Sequence, residues 1–328
     1  MTTLGIDVSK DKLDVHLLHD DYSQDAQFDN NKSGWRSLRN WLKKRSHSES
    51  VNVCLEATGR YGEGVTEFLH KATHTVSVVN PNRIKSYAQS LLTRNKTDMS
   101  DAMIIANFCR TQWDTLPIWT PPDPAQHRLQ ALIRHLQDLE KMRQQERNRL
   151  KSGNQDDDIM SRLTDHVDFM DQQIIEVKDN INRHIHQHPN LKDKHDLIIS
   201  IKGIGSLTAA KLLAEIPNIH DFDSPKQLVA FAGLNPRQRR SGSSIRGKTR
   251  ISKIGHASIR AALYLPAVVA KNTNPLLQPF VQRLQQSGHC PMSIVVAVMR
   301  KLLHLIYGIL KSKQPFDPDY LNKKTTYA

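Results

Sequence analysis

From Pro117 to Pro124 the chain carries four prolines, Pro117, Pro121, Pro122 and Pro124. A proline ring fixes φ and removes the backbone donor, so neither a helix nor a strand runs through such a stretch, and the segment marks a domain boundary. Before it, strand-like and helix-like runs alternate: residues 4–8 and 13–18 read as paired strands, 35–44 as a helix and 51–56 as a strand closed by Gly59. Residues 61–71 then read as a helix, 75–79 as a β-branched strand broken by Asn80-Pro81, and 98–112 as a helix. Two adjacent strands followed by helix-separated ones predict an α/β domain over 1–116, its mixed sheet opening with an antiparallel hairpin.

Beyond the prolines the period changes. Leu129, Leu132, Ile133, Leu136, Leu139 and Met142 fall on one helical stripe, and Leu163, Val167, Met170, Ile174, Val177 and Ile181 step by four and three, the rhythm of a coiled-coil seam. The polar residues 151–158, with Gly153, can reverse the chain, so 117–195 is expected as a helical hairpin, a spacer or dimerisation arm. Its stripe reads as packing, and the alternating His184, His186 and His188 as solvated surface rather than a metal site. From 196 to 328 a mainly α unit is expected. Two helices joined by Gly203-Ile204-Gly205 make a helix–hairpin–helix pattern, whose glycines let backbone N–H groups approach a phosphate, although an ordinary helical turn has the same look. Helices at 258–270 and 292–310 complete it.

Charge is distributed unevenly over the 328 residues, whose formal net charge is +13. Residues 201–328 hold 19 basic and 5 acidic side chains and so carry the whole excess. Within 236–260 stand Arg237, Arg239, Arg240, Arg246, Lys248, Arg250, Lys253 and Arg260 without a single acid. Such a field attracts polyanions, and nucleic acid is the leading partner. No run approaches the ~20 uncharged residues of a spanning helix, since Arg300, Lys301 and His304 interrupt the closest candidate. No membrane partner and no secretory leader are expected, and the address is the cytoplasm, on the nucleoid. Cys54, Cys109 and Cys290 stand far apart and fit neither a disulfide framework nor a zinc site.

Four acids stand out. Asp7 sits inside a strand-like run, where an uncompensated buried charge costs several kcal/mol, so a partner is required. Glu56 ends a second β-rich run, and Asp98 and Asp101 share one helical face. Singly, Asp98 reads as a helix cap and Glu56 as a turn residue. Together, two strand-end acids and a helical pair can converge at a sheet edge and offer hard oxygens to Mg²⁺, two ions of which suit phosphodiester displacement. The segment Ser241-Gly242-Ser243-Ser244 lies among guanidinium groups; its hydroxyls can clamp phosphate, or one can act as nucleophile, and the spacing does not choose between Ser241, Ser243 and Ser244.

Ordered motifs then point to a family: Gly5-Ile-Asp-Val-Ser-Lys10, Lys12-Leu-Asp-Val15, Leu55-Glu-Ala-Thr-Gly-Arg-Tyr61, Arg94-Asn-Lys-Thr-Asp-Met-Ser-Asp-Ala102 and Phe231-Ala-Gly-Leu-Asn-Pro236. Ser241-Gly-Ser-Ser-Ile-Arg-Gly247, Lys253-Ile-Gly-His256 and Arg260-Ala-Ala-Leu-Tyr264 follow. Over nearly its whole length the chain resembles the DEDD transposases of bacterial insertion sequences, the bridge-RNA-guided recombinases related to the Piv DNA invertases. The resemblance implies a RuvC-like, RNase H-type N-terminal domain binding Mg²⁺ through Asp7, Glu56, Asp98 and Asp101. It implies a C-terminal transposase domain whose Ser241 attacks DNA and becomes covalently attached, while the charge and glycine pattern nominate Gly203, Gly205, Arg237, Arg239, Arg240, Arg246, Lys248, Arg250 and Lys253 as nucleic-acid contacts. Its implied partners are a noncoding guide RNA, donor and target DNA, and further copies of the chain in a tetramer, a dimer of dimers. The same residues also fit a hydrolytic nuclease of the Holliday-junction resolvase class, or a non-catalytic scaffold.

Overall fold

A computed structural model describes residues 1–46, 50–57, 59–91, 98–153, 156–237, 240–241, 245–246 and 250–319, with backbone alone at 60, 98–100, 240–241 and 245–246. The chain divides within the proline stretch into two compact units, Met1–Pro121 and Pro122–Ala328.

The first unit is built on a five-stranded sheet of order β3-β2-β1-β4-β5. Strands β1 (Thr3–Val8), β2 (Lys12–Leu18) and β3 (Ser23–Asp29) form an antiparallel meander, while β4 (Asn52–Glu56) runs parallel to β1 and β5 (Thr75–Val79) parallel to β4. Helix α1 (Lys32–Arg45) leads into β4, α2 (Glu63–Lys71) joins β4 to β5, and α3 (Pro81–Ser90) and α4 (Asp98–Gln112) follow. This mixed α/β arrangement fits the RNase H-like fold that the resemblance implies. The sheet is covered on both faces, and the period of two decides which residue goes where. Leu4, Ile6, Leu13, Val15, Val53 and Leu55 pack on Leu38 and Leu42 of α1 and Val65 and Leu69 of α2. The alternate residues face α4: Gly5 lies against Ala102 and Ala106, and Cys54 packs with Ile105 and Cys109.

Two elements escape the sequence pattern. β3 is an edge strand that buries little, and only Ala26 and Phe28 pack on the core. α3 begins at the Pro81 read as a breaker, because proline at the first helical position loses no hydrogen bond and Asn80 caps the helix by accepting from the Asn82 N–H.

The second unit is helical: α5 (Pro124–Lys151), α6 (Asp157–Gln187), α7 (Pro189–Ile199), α8 (Ser206–Glu215), α9 (Pro225–Phe231), α10 (Ala257–Thr273), α11 (Gln278–Gln286) and α12 (Pro291–Ser312). The apolar stripes of α5 and α6 are buried against each other except at Met142, which is exposed, and Leu129, Ile133, Leu136, Ile174, Val177 and Ile181 share one core with the helices that follow. Among the described residues α12 is the one helix long and apolar enough to cross a membrane. Half of that stretch is buried here, with Val298, Leu302, Leu303 and Ile306 in the core.

Between α9 and α10 the described residues form two antiparallel pairs nested in sequence, β6 (Pro236–Arg237) with β9 (Arg250–Ile251) and β7 (Arg240–Ser241) with β8 (Ile245–Arg246), together called the ribbon.

Candidate active site and nucleic-acid interface

The acids are placed by register. Gly5 pairs with Cys54 and Ile6 with Leu55 across the parallel strands, so the next residues, Asp7, one before the end of β1, and Glu56, the last of β4, fall on the face that α4 covers. That face is set by Gly5, where a Cβ would lie 2.2 Å from the Ala102 carbonyl oxygen and 2.3 Å from the Ala106 nitrogen. Backbone therefore meets backbone, and Asp101, next to Ala102 on α4, comes to the same side of the sheet as Asp7. All three carboxylates are half-buried. Asp98 begins α4, but its side chain lies outside those described.

Two further residues stand at this edge: Asp14, which the sequence offered only as part of the Lys12–Val15 motif, and Asn30, which carried no signal there. Asp14 stands directly opposite Asp7 in the β1–β2 register, its Oδ1 accepting from Gln27 Nε2 at 2.7 Å. Asn30 ties together the loops that follow the two acid-bearing strands. Its Nδ2 donates to the Ser9 carbonyl at 2.9 Å and the Tyr61 carbonyl at 3.0 Å, while Oδ1 accepts from Trp35 Nε1 at 3.0 Å. An asparagine ahead of a helix reads as a cap or turn, and nothing local marks these distant partners.

Carboxylate oxygens are the donors that Mg²⁺ takes, so the chemistry of the donor set fits a divalent cation. Among the described residues, however, no group of three or more His, Cys, Asp or Glu could hold an ion. The His184 cluster engages main-chain carbonyls instead: His184 Nε2 lies 2.8 Å from the Ala125 oxygen and His188 Nδ1 2.7 Å from the His184 oxygen. The cysteines are all free. Burial and the adjacent Cys54 push the Cys109 thiol far above its ordinary range.

In the second unit, Ser241 ends β7, opposite Ile245. Register places Arg237 opposite Arg250 and Arg240 opposite Arg246. Like charges directly opposite each other destabilise a ladder. Arg237, Arg250 and Lys253 are exposed, whereas Arg239 and Lys248 lie outside the described residues. The two glycines between α7 and α8 differ. Gly203, at φ +102°, packs so tightly that a Cβ would stand 2.7 Å from that of Ala270, while around Gly205 there is open space. His195, buried on α7, holds the turn through Nε2, 3.1 Å from both Oγ and the carbonyl oxygen of Ser206.

A family model described as a transposase matches residues 4–153, and one described as the IS116/IS110/IS902 family of transposases matches residues 195–282. The pilin gene-inverting protein of Moraxella bovis is 32% identical over 323 residues, covering 96% of this chain and 98% of that protein. The chain belongs to the IS116/IS110/IS902 transposase family. Its Moraxella lacunata counterpart matches equally, at 32% identity and the same coverage. The transposase for insertion sequence element IS1111A of Coxiella burnetii is 44% identical over 64 residues, 20% of this chain and 17% of that protein. A solved structure of T. thermophilus RuvC in complex with a Holliday junction substrate aligns with 36% of this chain and 99% of its own, at 14% identity and a TM-score of 0.28, a likeness too low to decide anything. Family membership makes the chain a DNA transposase/recombinase enzyme.

Proposed function

We propose that this chain cuts and rejoins DNA through a covalent serine–DNA intermediate, with strands chosen by a guide RNA. The observation that carries the reading is the register that sets Asp7 beside Glu56, with α4 and Asp101 drawn onto the same face at Gly5. Asp7, Glu56, Asp98 and Asp101 would hold Mg²⁺, two ions by family likeness; when bound, it supplies positive charge that offsets the charge developing on the scissile phosphate. Ser241 Oγ attacks phosphorus, one P–O bond forms as another breaks, and the departing deoxyribose oxygen takes a proton while the serine loses one. Phosphodiester energy is kept in the serine linkage, so a second hydroxyl can reverse the step on a different strand without an outside energy source. The arginine pairs of the ribbon grip the backbone, and Gly205, open to solvent, offers main-chain N–H groups near the start of α8. The hairpin of α5 and α6 serves assembly into a tetramer, on the nucleoid.

The test is an adduct trap. The protein is co-expressed with its flanking noncoding DNA, given element-end and target DNA with Mg²⁺, denatured, and searched by mass spectrometry for a nucleotide-bearing peptide, beside Ser241→Ala. The expected result is an adduct on Ser241 that the alanine variant lacks, and its loss in Asp7→Asn and Asp101→Asn as well. Cut DNA that remains protein-free points instead to a hydrolytic nuclease.

A further inference from the structure

Arg260 sits in the first turns of α10, just past the ribbon, and in sequence it is the last of an acid-free run of cations. A cation near a helix N-terminus opposes the helix dipole, so its position there is not explained by helix stability. What it touches is main chain. One nitrogen, Nη1, donates to the Ala232 carbonyl at 2.9 Å and to the Gly255 carbonyl at 3.1 Å, one from each side of the ribbon's neck. Nη1 carries two diverging hydrogens, one for each oxygen.

The rest of the neck is equally tight. Lys253 N–H donates to the Gly233 carbonyl at 3.1 Å, His256 N–H to the Phe231 carbonyl at 2.9 Å, and Ser252 Oγ to Asn235 Oδ1 at 2.6 Å. Gly255, at φ +143°, lies so close that a Cβ would stand 2.3 Å from the Phe231 oxygen. At Gly233, at φ +69°, a Cβ would stand 2.8 Å from Arg260 Nη1 itself. The guanidinium thus lies against a bare backbone and joins the C-cap of α9, ahead of the ribbon, to the turn that follows it before α10.

We infer that Arg260 is a positioning residue: by tying together the two chain segments that enter and leave the ribbon it fixes where the ribbon carries Ser241, and it does not grip a phosphate as its neighbours in sequence would. The consequence for the reaction rests on the reading of Ser241 as nucleophile. Ser241 lies six residues beyond Asn235, outside the neck. A tilt at the neck is carried out to it, and a misplacement of ~1 Å already costs a reaction dearly.

The experiment compares full-length Arg260→Gln and Arg260→Lys with wild type, Arg237→Gln and Ser241→Ala. Three readouts are taken: amide exchange over residues 231–256, the salt dependence of affinity for a duplex DNA, and adduct yield in the trap. For Arg260→Gln, the Lys253 and His256 amides exchange at least tenfold faster, the salt slope is unchanged, and the adduct falls at least tenfold. Arg260→Lys, whose ammonium can reach the carbonyls but lacks the fixed fork, recovers part of both exchange protection and adduct yield. A salt slope reduced by about one phosphate, as expected for Arg237→Gln, with exchange unchanged overturns the inference. If wild type leaves cut DNA protein-free, the serine reading fails and takes the catalytic consequence with it, while the exchange data alone decide whether Arg260 is the pin.

Discussion

At Gly5 the close approach of β1 and α4 leaves no flexible side chain to yield, since both near atoms of a Cβ would be backbone. Gly5→Ala is therefore expected to push α4 off the sheet. The cost is about 1–3 kcal/mol of stability and a larger fractional loss of cutting than of DNA binding, seen by urea titration beside a cleavage assay. A second prediction concerns His74. Its Nδ1 accepts the Val51 N–H at 3.3 Å, and burial holds its pKa below the ordinary 6.5. Above that value the ring is neutral both folded and unfolded. As pH falls through 6.5 the unfolded chain takes up a proton that the folded one excludes, so stability present at neutral pH is lost toward acid. The difference in urea midpoint between pH 7.5 and 5.5 should shrink in His74→Asn, whose Oδ1 can accept the same bond; an unchanged difference would sink the assignment. Residues of this kind divide by legibility. Asp7 and Glu56 could be singled out because a charge in an apolar alternating run is conspicuous, whereas Asn30 could not, because its partners are main-chain atoms far along the chain.

Among elements, the ones found from the sequence are those that bury a continuous face. The stripe of α6 is an example: Met170, Ile174 and Ile181 are all at most 2% exposed. Ile174→Ala should cost about 2–4 kcal/mol, the transfer term plus the cavity, read as a lower denaturation midpoint of the second unit. A cost below 1 kcal/mol would mean that the seam is not packed as described. β3 went unread because an edge strand with one face in water has little apolar periodicity to show. The ribbon went unread for another reason: its strands are two residues long, too short for any period, and its shape comes from glycine conformations and long-range bonds at the neck. Sequence could nominate Ser241 by its surroundings, but not the frame that carries it.

For the whole molecule the proposed function places nucleic acid where charge and register coincide. Residues 201–328 carry 19 basic and 5 acidic side chains, and within them the ribbon sets Arg237 opposite Arg250 and Arg240 opposite Arg246. Like charges placed opposite one another destabilise a ladder, so under the proposed function a phosphate alongside would relieve the Arg237–Arg250 pair, and binding and ribbon stability should be linked. Lys43 and Lys44, exposed on α1 in the other unit, offer the same charge without such pairing. The prediction is that Arg237→Gln with Arg250→Gln lowers the slope of log affinity against log salt by close to two, at ~0.9 per phosphate released, and weakens binding to unrelated sequences equally. Lys43→Gln with Lys44→Gln should leave the slope as it was. Titrations of one duplex at several salt concentrations measure both. Equal effects from the two double variants would mean that the molecule attracts DNA by net charge alone, and that the facing arginines do not mark the interface.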